Sequence, residues 1–378
     1  MEQYHILVIG CREGLISALE RLNIPYSIWN DKRVKKSYRP RLVLIDSIVK
    51  NREKIKKNAA YFSRKGITHV IAGTEKSVYP ASVLRRLIGA RKSKDSVVLR
   101  CHDKLLMKSF LMPFGVPMTD FLPYKKGQSG SSIHKKLGEV VVKKRRLSGG
   151  RGISFPKTVG EIEALAEKDT YFEKKLEGRE GSVESFIQDG KILFSNVTEY
   201  LEKTGINLVP SHFDASMMEE MLELNRRVIE ALGIEWGMTH LEVFLTSEGI
   251  KFGELALRPP GGYIMNLIQL AFGFDAWDSF VKIELGLVVD FPSRPVAFAS
   301  AHILHPGEGI VTLVRGEKKV CQLENLIEFK LNAKEGDHVE KRVDVGDEVG
   351  HILFCCQKKK ELLSRIKFVR GNFEIKLK

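Results

Sequence analysis

Residues 240–257 restrict the possible fold more than any other stretch of the chain. His240-Leu241-Glu242-Val243-Phe244-Leu245 reads as a strand, and Thr246-Ser247-Glu248-Gly249 supplies turn chemistry. Ile250-Lys251-Phe252-Gly253-Glu254-Leu255-Ala256-Leu257 then reads as the returning strand. Folded symmetrically about Glu248, the hairpin sets Glu242 directly opposite Glu254. Cross-strand partners lie about 5 Å apart at Cβ, and like charges placed there repel. A divalent cation removes the penalty, because Mg²⁺ takes one or two carboxylates and completes its shell with phosphate and water. Arg258-Pro259-Pro260-Gly261-Gly262 follows, adding a fixed cation and a permissive backbone. The combination suits phosphoryl chemistry, whereas a register different by one residue would leave a solvated hairpin.

At 378 residues the chain exceeds one compact core, and roughly two to four structural units are expected. A hydrophobic content of 43% with 29% charged residues is that of a soluble globular protein. Met1-Glu2-Gln3-Tyr4-His5 lacks the features of a signal peptide, and no run approaches about 18 apolar residues. Cys11, Cys101, Cys321, Cys355 and Cys356 form no CxxC pair and no ligand spacing, so reduced thiols and a cytoplasmic location are expected.

Tyr4–Gly10, Pro25–Trp29, Leu42–Ile45 and Val70–Ala72 read as short apolar strands. Helix-like runs lie between and after them at Glu13–Leu22, Ser47–Lys65 and Ser77–Leu87. This βαβ alternation implies a parallel sheet covered by helices. Gly10-Cys11-Arg12-Glu13-Gly14 is not a GxGxxG loop, so dinucleotide binding has no motif support. A polar break near Ala90–Asp95 suggests an N-terminal α/β domain over residues 1–94. A helix from Asp103 to Met112 and a strand-rich section with a turn at Asp189-Gly190 come next. The helix Ser216–Leu232 precedes the glutamate hairpin, and helical sequence runs on to Leu287. From Arg294 the tail reads as β-rich, with turns at Pro306-Gly307, Arg315-Gly316 and Val345-Gly346.

Two further motifs carry chemistry. Val140-Val141-Val142-Lys143-Lys144 ends an apolar strand in cations, and Ser148-Gly149-Gly150-Arg151-Gly152 gives a loop whose amides can approach phosphate oxygens. It is not a P-loop, and glycine loops also make ordinary hairpin turns. Phe172-Glu173-Lys174-Lys175-Leu176-Glu177-Gly178-Arg179-Glu180 could offer backbone groups to an adenine edge and a carboxylate to a ribose diol. Taken alone it reads as an exposed edge strand.

In order, these pieces resemble the ATP-grasp superfamily, and more narrowly its carboxylate–amine ligases, over roughly residues 95–290. The resemblance rests on Asp103-Lys104 with Gly115-Val116-Pro117, Val142-Lys143 before the glycine loop, and Glu173 to Glu180. It continues through Leu232-Gly233, Gly237-Met238-Thr239-His240-Leu241-Glu242 and Glu254 to Gly262. It implies an α/β ATP-grasp fold: residues 1–94, an ATP-grasp domain over 95–293 with a lid at about 122–188, and a β-rich subdomain over 294–378. It further implies that Lys104 and Lys143 bind ATP phosphates beneath a lid formed by Ser148, Gly149, Gly150 and Gly152. Glu173, Lys174 and Leu176 would hold adenine, Glu180 the ribose, and Glu242 and Glu254 a Mg²⁺ or Mn²⁺ ion. Arg258, with Lys143, would serve the reacting carboxylate. Two positions depart from the family pattern: Ala256 stands where many relatives carry Asn, and Lys144 where a proline often follows the strand lysine.

The chemistry implied is transfer of a phosphoryl group to a carboxylate, then displacement of the acyl phosphate by an amine. Positioning and charge stabilisation dominate such transfers, so no nucleophilic Cys or Ser is required. His240 can be read as a proton acceptor or as a satisfied structural histidine. The formal charge is +14, and Lys32–Gly66 holds 13 Lys or Arg against only Asp46 and Glu53. Such a patch suits an acidic partner or a plain solvated surface. It has few aromatics for base stacking. The expected partners are therefore a small carboxylate and an amine, with an acidic carrier protein loaded as a thioester as the alternative and a homodimer also open. A nucleic-acid-binding protein and a degenerate nucleotide-binding module are the remaining rivals; no membrane partner is expected.

Overall fold

Four short, almost wholly apolar runs build the first layer. In the computed structural model, which describes residues 4–48, 52–202, 205–342 and 346–378, they are β1 (Ile6–Ile9), β2 (Tyr26–Asn30), β3 (Leu42–Ile45) and β4 (His69–Ala72). They pair in parallel in the order β3-β2-β1-β4. All four residues of β1 are buried, the continuous apolar signature of a strand covered on both faces. Helices α1 (Glu13–Arg21), α2 (Arg52–Arg64) and α3 (Glu75–Leu87) complete this βαβ unit. The expected helix start at Ser47 is not observed: Ser47 and Ile48 are irregular, and residues 49–51, including Lys50 of the basic region, lie outside the described residues.

Helix α4 (Asp95–His102) leads directly into α5 (Lys104–Leu111). Asp103 separates them as the N-cap of α5, its carboxylate accepting the Leu106 N–H at 3.2 Å. A small antiparallel sheet follows, β5 (Phe121–Pro123), β6 (Val140–Lys144), β7 (Ile153–Ser154) and β8 (Thr170–Lys174), in the order β5-β8-β6-β7. Helices α6 (Gly130–Leu137) and α7 (Val159–Leu165) pack on it through Ile133, Leu137 and Ile162.

The dominant element is an eight-stranded antiparallel sheet. Its first members are β9 (Arg179–Gln188), β10 (Lys191–Glu202), β11 (Ile206–Val209), β12 (Gly237–Thr246) and β13 (Gly249–Ala256). The C-terminal part adds β14 (Phe298–Leu304), β15 (Gly309–Arg315), β16 (Leu326–Leu331), β17 (His338–Val339), β18 (Gly350–Cys356) and β19 (Glu374–Leu377). The large sheet runs β13-β12-β9-β10-β11-β14-β18-β16, while β17-β15-β19 form a separate sheet. The expected lid segment, 122–188, is therefore divided: 121–174 build the small sheet, and β9 is an interior strand of the large one. Asp189 and Gly190, both at positive φ, turn β9 into β10 as a two-residue hairpin.

Helix α8 (Ala215–Leu232) is capped by Asp214 at one end and Gly233 at the other, and it packs Met221, Leu224 and Val228 into the core beneath the hairpin strands. Helices α9 (Ile264–Phe272) and α10 (Ala276–Leu285) join the N-terminal layer to the large sheet through a shared apolar core. The tail also contains helices α11 (Glu317–Cys321) and α12 (Lys359–Asn372), which a purely β reading did not anticipate. Among the described residues no helix is long and apolar enough to cross a membrane. Val345, expected in a turn, lies outside them.

Candidate active site

The hairpin brings Glu242 and Glu254 opposite each other, by a route the sequence did not suggest. The turn is the two residues Ser247-Glu248, so Thr246 pairs with Gly249 and Val243 with Phe252. Continued without interruption, that register would set Glu242 against Gly253. A β-bulge at Gly253 moves the register by one residue and restores the Glu242–Glu254 pair. Glycine is needed there, since a Cβ on residue 253 would come within 2.9 Å of the Glu242 carbonyl oxygen.

Four cations surround these carboxylates and the neighbouring Glu173. Lys104, at the first position of α5, places Nζ 3.2 Å from Glu254 Oε2 and donates to the Leu147 carbonyl. Lys143, near the end of β6, lies 2.6 Å from Glu173 Oε2. One turn along α5 from Lys104, Lys108 reaches Glu173 Oε1 at 3.0 Å, and the Tyr171 hydroxyl donates to the same oxygen at 2.9 Å. Burial disfavours the Glu173 carboxylate, but Lys108 and Lys143 outweigh that and hold its pKa at about 2. Burial likewise opposes charge on Lys143; Glu173, Glu254 and Glu242 reverse the effect and raise its pKa. Burial dominates at Lys108 and lowers its pKa.

The fourth cation is His240, buried on β12. Its Nδ1 lies 2.9 Å from Glu184 Oε1 and its Nε2 3.4 Å from Glu242 Oε1. Burial works against protonation, but the two carboxylates raise the His240 pKa to about 9. Desolvation also opposes ionisation of Glu242; the His240 hydrogen bond and the charges of His240, Lys104 and Lys143 overcome it and lower its pKa.

Arg258, just beyond β13, is held at the edge of this cluster. Its Nε donates to Glu75 Oε2 at 2.7 Å and its Nη1 to the Pro259 carbonyl at 2.9 Å. The other Glu75 oxygen faces His102 Nδ1 at 3.2 Å. Buried Glu75 resists ionisation by desolvation, yet His102 and Arg258 bring its pKa to about 2. A second arginine reaches the same loop from the β1–α1 connection. Arg12 donates through Nη1 to Pro259 O at 3.0 Å and through Nη2 to Pro260 O, with its guanidinium 4.7 Å over the Trp277 ring. Asn207 Nδ2 fixes the Gly262 carbonyl at 2.7 Å, so close that a Cβ on residue 262 would meet it at 2.5 Å.

The other expected residues are distributed unevenly. Ser148, Gly149, Gly150 and Gly152 form the turn between β6 and β7, and the three glycines adopt positive φ. The turn is tied to α5, because the Arg145 carbonyl accepts the Lys104 N–H at 2.9 Å while Arg145 and Arg146 donate to Asp103. Glu180 lies on β9 opposite Phe244, on the face that carries Ser182, Glu184 and Glu242. The Lys174 N–H is taken by the Asp120 carbonyl and its C=O by Thr119 Oγ1. Leu176 forms no backbone hydrogen bond among the described residues. The Glu173 side chain is turned inward as counter-ion to two lysines.

Four residues of this cluster escaped the sequence reading: Lys108, Glu184, Arg12 and Glu75. Lys108 had a signal, since it lies four residues after Lys104 on one helix face. Glu184 continues the polar alternation Glu180, Ser182. Arg12 and Glu75 meet the site only through contacts 247 and 183 residues distant in sequence, for which no local pattern exists.

Residues 109–265 match the family model described as the ATP-grasp domain. The chain is 25% identical over 330 residues to an L-arginine-specific L-amino acid ligase of Bacillus subtilis, covering 82% of this chain and 80% of that protein. Its fold is similar to the crystal structure of an L-amino acid ligase from Bacillus licheniformis, with a TM-score of 0.82 over 100% of both chains at 16% identity. The carboxyaminoimidazole ribonucleotide synthase of Aspergillus clavatus, crystallised with ATP, gives a TM-score of 0.76 over 98% of each chain at 17% identity.

Proposed function

Because the chain belongs to the ATP-grasp superfamily and is an ATP-dependent ligase, we propose that it joins the carboxylate of an amino acid to an amine at the Glu242–Glu254 cleft. The observation that carries this reading is the facing glutamate pair with Lys104 and Lys143 beside it. In the first step a substrate carboxylate oxygen attacks the γ-phosphorus of ATP and the bond to the β–γ bridging oxygen breaks, releasing ADP. In the second the amine attacks the acyl carbon, inorganic phosphate leaves, and the nitrogen loses a proton. Little of this needs covalent help from the protein; charge and position carry it.

Glu242 and Glu254 suit a hard divalent cation, Mg²⁺ or Mn²⁺. Two carboxylates are what Mg²⁺ typically takes from a protein, with phosphate and water completing its shell. Such an ion would supply neutralisation of phosphate charge. Lys104 and Lys143 contribute the fixed cations, the 148–152 turn closes over the phosphates, the Leu176 backbone and Lys174 line the adenine side, and Glu180 takes the ribose. Arg258, held by Glu75 and by the Pro259 carbonyl it shares with Arg12, meets the substrate carboxylate and its acyl phosphate. Lys143 also faces the transferred group.

The test is ADP release screened over pairs of amino acids with Mg²⁺, with mass spectrometry of the products. Amide formation in step with ADP release is the expected result. ADP release that needs a carrier thiol and yields a thioester would replace this reading with the carrier-loading one, in which the basic 32–66 region has a natural role. No ADP release with any carboxylate would overturn both.

A further inference from the structure

Glu184 is fully buried in the middle of the large sheet, on the face that carries Glu242. Its two oxygens accept four hydrogen bonds. Oε1 takes Ser182 Oγ at 2.6 Å and His240 Nδ1 at 2.9 Å; Oε2 takes Thr198 Oγ1 at 2.6 Å and Asn196 Nδ2 at 3.0 Å. That fills the lone-pair capacity of a carboxylate, leaving none for a ligand. Three strands, β9, β10 and β12, thus contribute side chains whose common effect is to aim one imidazole.

The ring is aimed at Glu242. With Nδ1 committed to Glu184, Nε2 stands 3.4 Å from Glu242 Oε1, and both nitrogens face carboxylates. Glu184 fixes the Nδ1 edge of the ring, so the Nε2 edge is presented to Glu242 and not to solvent. Glu242 has the carboxylate of Glu254 across the hairpin and this ring two residues away on its own strand. Neutralising Glu184 alone would not require the ring's second nitrogen to reach a third strand position.

We infer that Glu184 and His240 are positioning residues that orient the Glu242 carboxylate for the divalent cation. The inference rests on the reading of Glu242 and Glu254 as the metal pair. Outer partners of a metal ligand are worth about 10–100-fold in metal affinity, and that is the quantity to measure.

The experiment titrates Mn²⁺ into the full-length protein with ADP, following free Mn²⁺ by electron paramagnetic resonance, and measures ADP affinity without metal by calorimetry. His240→Gln should weaken Mn²⁺ binding about 10-fold and leave metal-free ADP binding unchanged. Glu184→Gln should act in the same direction, and the double variant should be no weaker than the worse single one. Thr198→Val, which removes only one bond to Glu184 and conserves shape, keeps the question open to measurement if the other variants misfold; it should weaken Mn²⁺ two- to threefold, a modest share of the same effect. Wild-type Mn²⁺ affinity in the folded variants would overturn the inference. Glu254→Gln separates the layers: if it too leaves Mn²⁺ binding intact, the metal reading itself has failed.

Discussion

Glu173→Gln tests the logic of the buried charge cluster most severely. Glu173 is 4% exposed, and its carboxylate is shared by Lys143 at 2.6 Å and Lys108 at 3.0 Å. At an effective dielectric of about 20, each contact is worth about 5–6 kcal/mol in Coulomb terms, most of which is spent in desolvating the three groups. Removing the shared anion gives no such refund, because two buried ammonium groups are left facing each other. The expected loss is about 3–5 kcal/mol, read as a lower midpoint in urea unfolding monitored by circular dichroism without nucleotide. Lys108→Met in the same background should then restore about 1–3 kcal/mol, since it removes a stranded cation and refills its volume. A double variant less stable than Glu173→Gln alone would refute the reasoning. It would mean that Lys108 stabilises through packing rather than through its pairing with Glu173.

Three further outcomes follow from the geometry. Glu254→Gln should abolish ADP formation with the unfolding midpoint near that of the parent, since Glu254 is partly exposed in the cleft. Arg258→Lys keeps the charge but loses the fork engaged with Glu75 and Pro259, and Arg12→Met loses two hydrogen bonds to the loop. In steady-state assays both should raise the KM for the carboxylate about 10-fold or more while the KM for ATP changes little, a charged hydrogen bond being worth about 1.5–3 kcal/mol; equal losses toward ATP would contradict the assignment. Stability should also depend on acid. Glu173 has its folded pKa lowered from 4.5 to about 2, so its contribution is present above about 4.5 and is lost as pH falls toward 2. Unfolding midpoints measured from pH 5 to pH 2.5 should fall more steeply for the parent than for Glu173→Gln.

The parallel N-terminal sheet was legible because each strand is a bounded apolar run, and the glutamate pair because hairpin turns announce themselves. The pair was nonetheless reached through the wrong turn centre: symmetry about Glu248 happened to match a two-residue turn corrected by the Gly253 bulge. The burial of the Glu173 side chain was not legible, because a strand end crowded with charge resembles a solvated edge. Only the fold shows that Lys108 and Lys143 approach it from α5 and β6. Helix α12 was missed because its buried face is just Leu362, Ile366 and Val369 amid many cations, a weak periodic signal beside strong β-formers. Arg12 and Glu75 depend on the packing of the N-terminal layer against the 258–260 loop, and the Glu184–His240 pair on strand order in a sheet of eight; neither is written in any local window.

The charge pairs of the cleft also indicate how a charged substrate could enter without unpairing the protein. On the proposed reading, Lys104 and Lys143 are phosphate ligands, yet each is held by a carboxylate. The two pairs are not equivalent. Glu254 is 23% exposed and faces Glu242, so Lys104–Glu254 is the pair that a phosphate and a divalent cation would separate, Lys104 turning to the one and Glu254 to the other. Each charge finds a new partner in place, which avoids the cost of exposing either one unpaired in a half-buried cleft. Glu173 is 5% exposed at its side chain and is anchored by a second lysine, so Lys143 keeps it and offers phosphate the remaining hydrogens of its ammonium group. Lys143 is then the fixed reference of the site and Lys104 the exchanging partner. That division follows from the depth of the two carboxylates rather than from the lysines themselves.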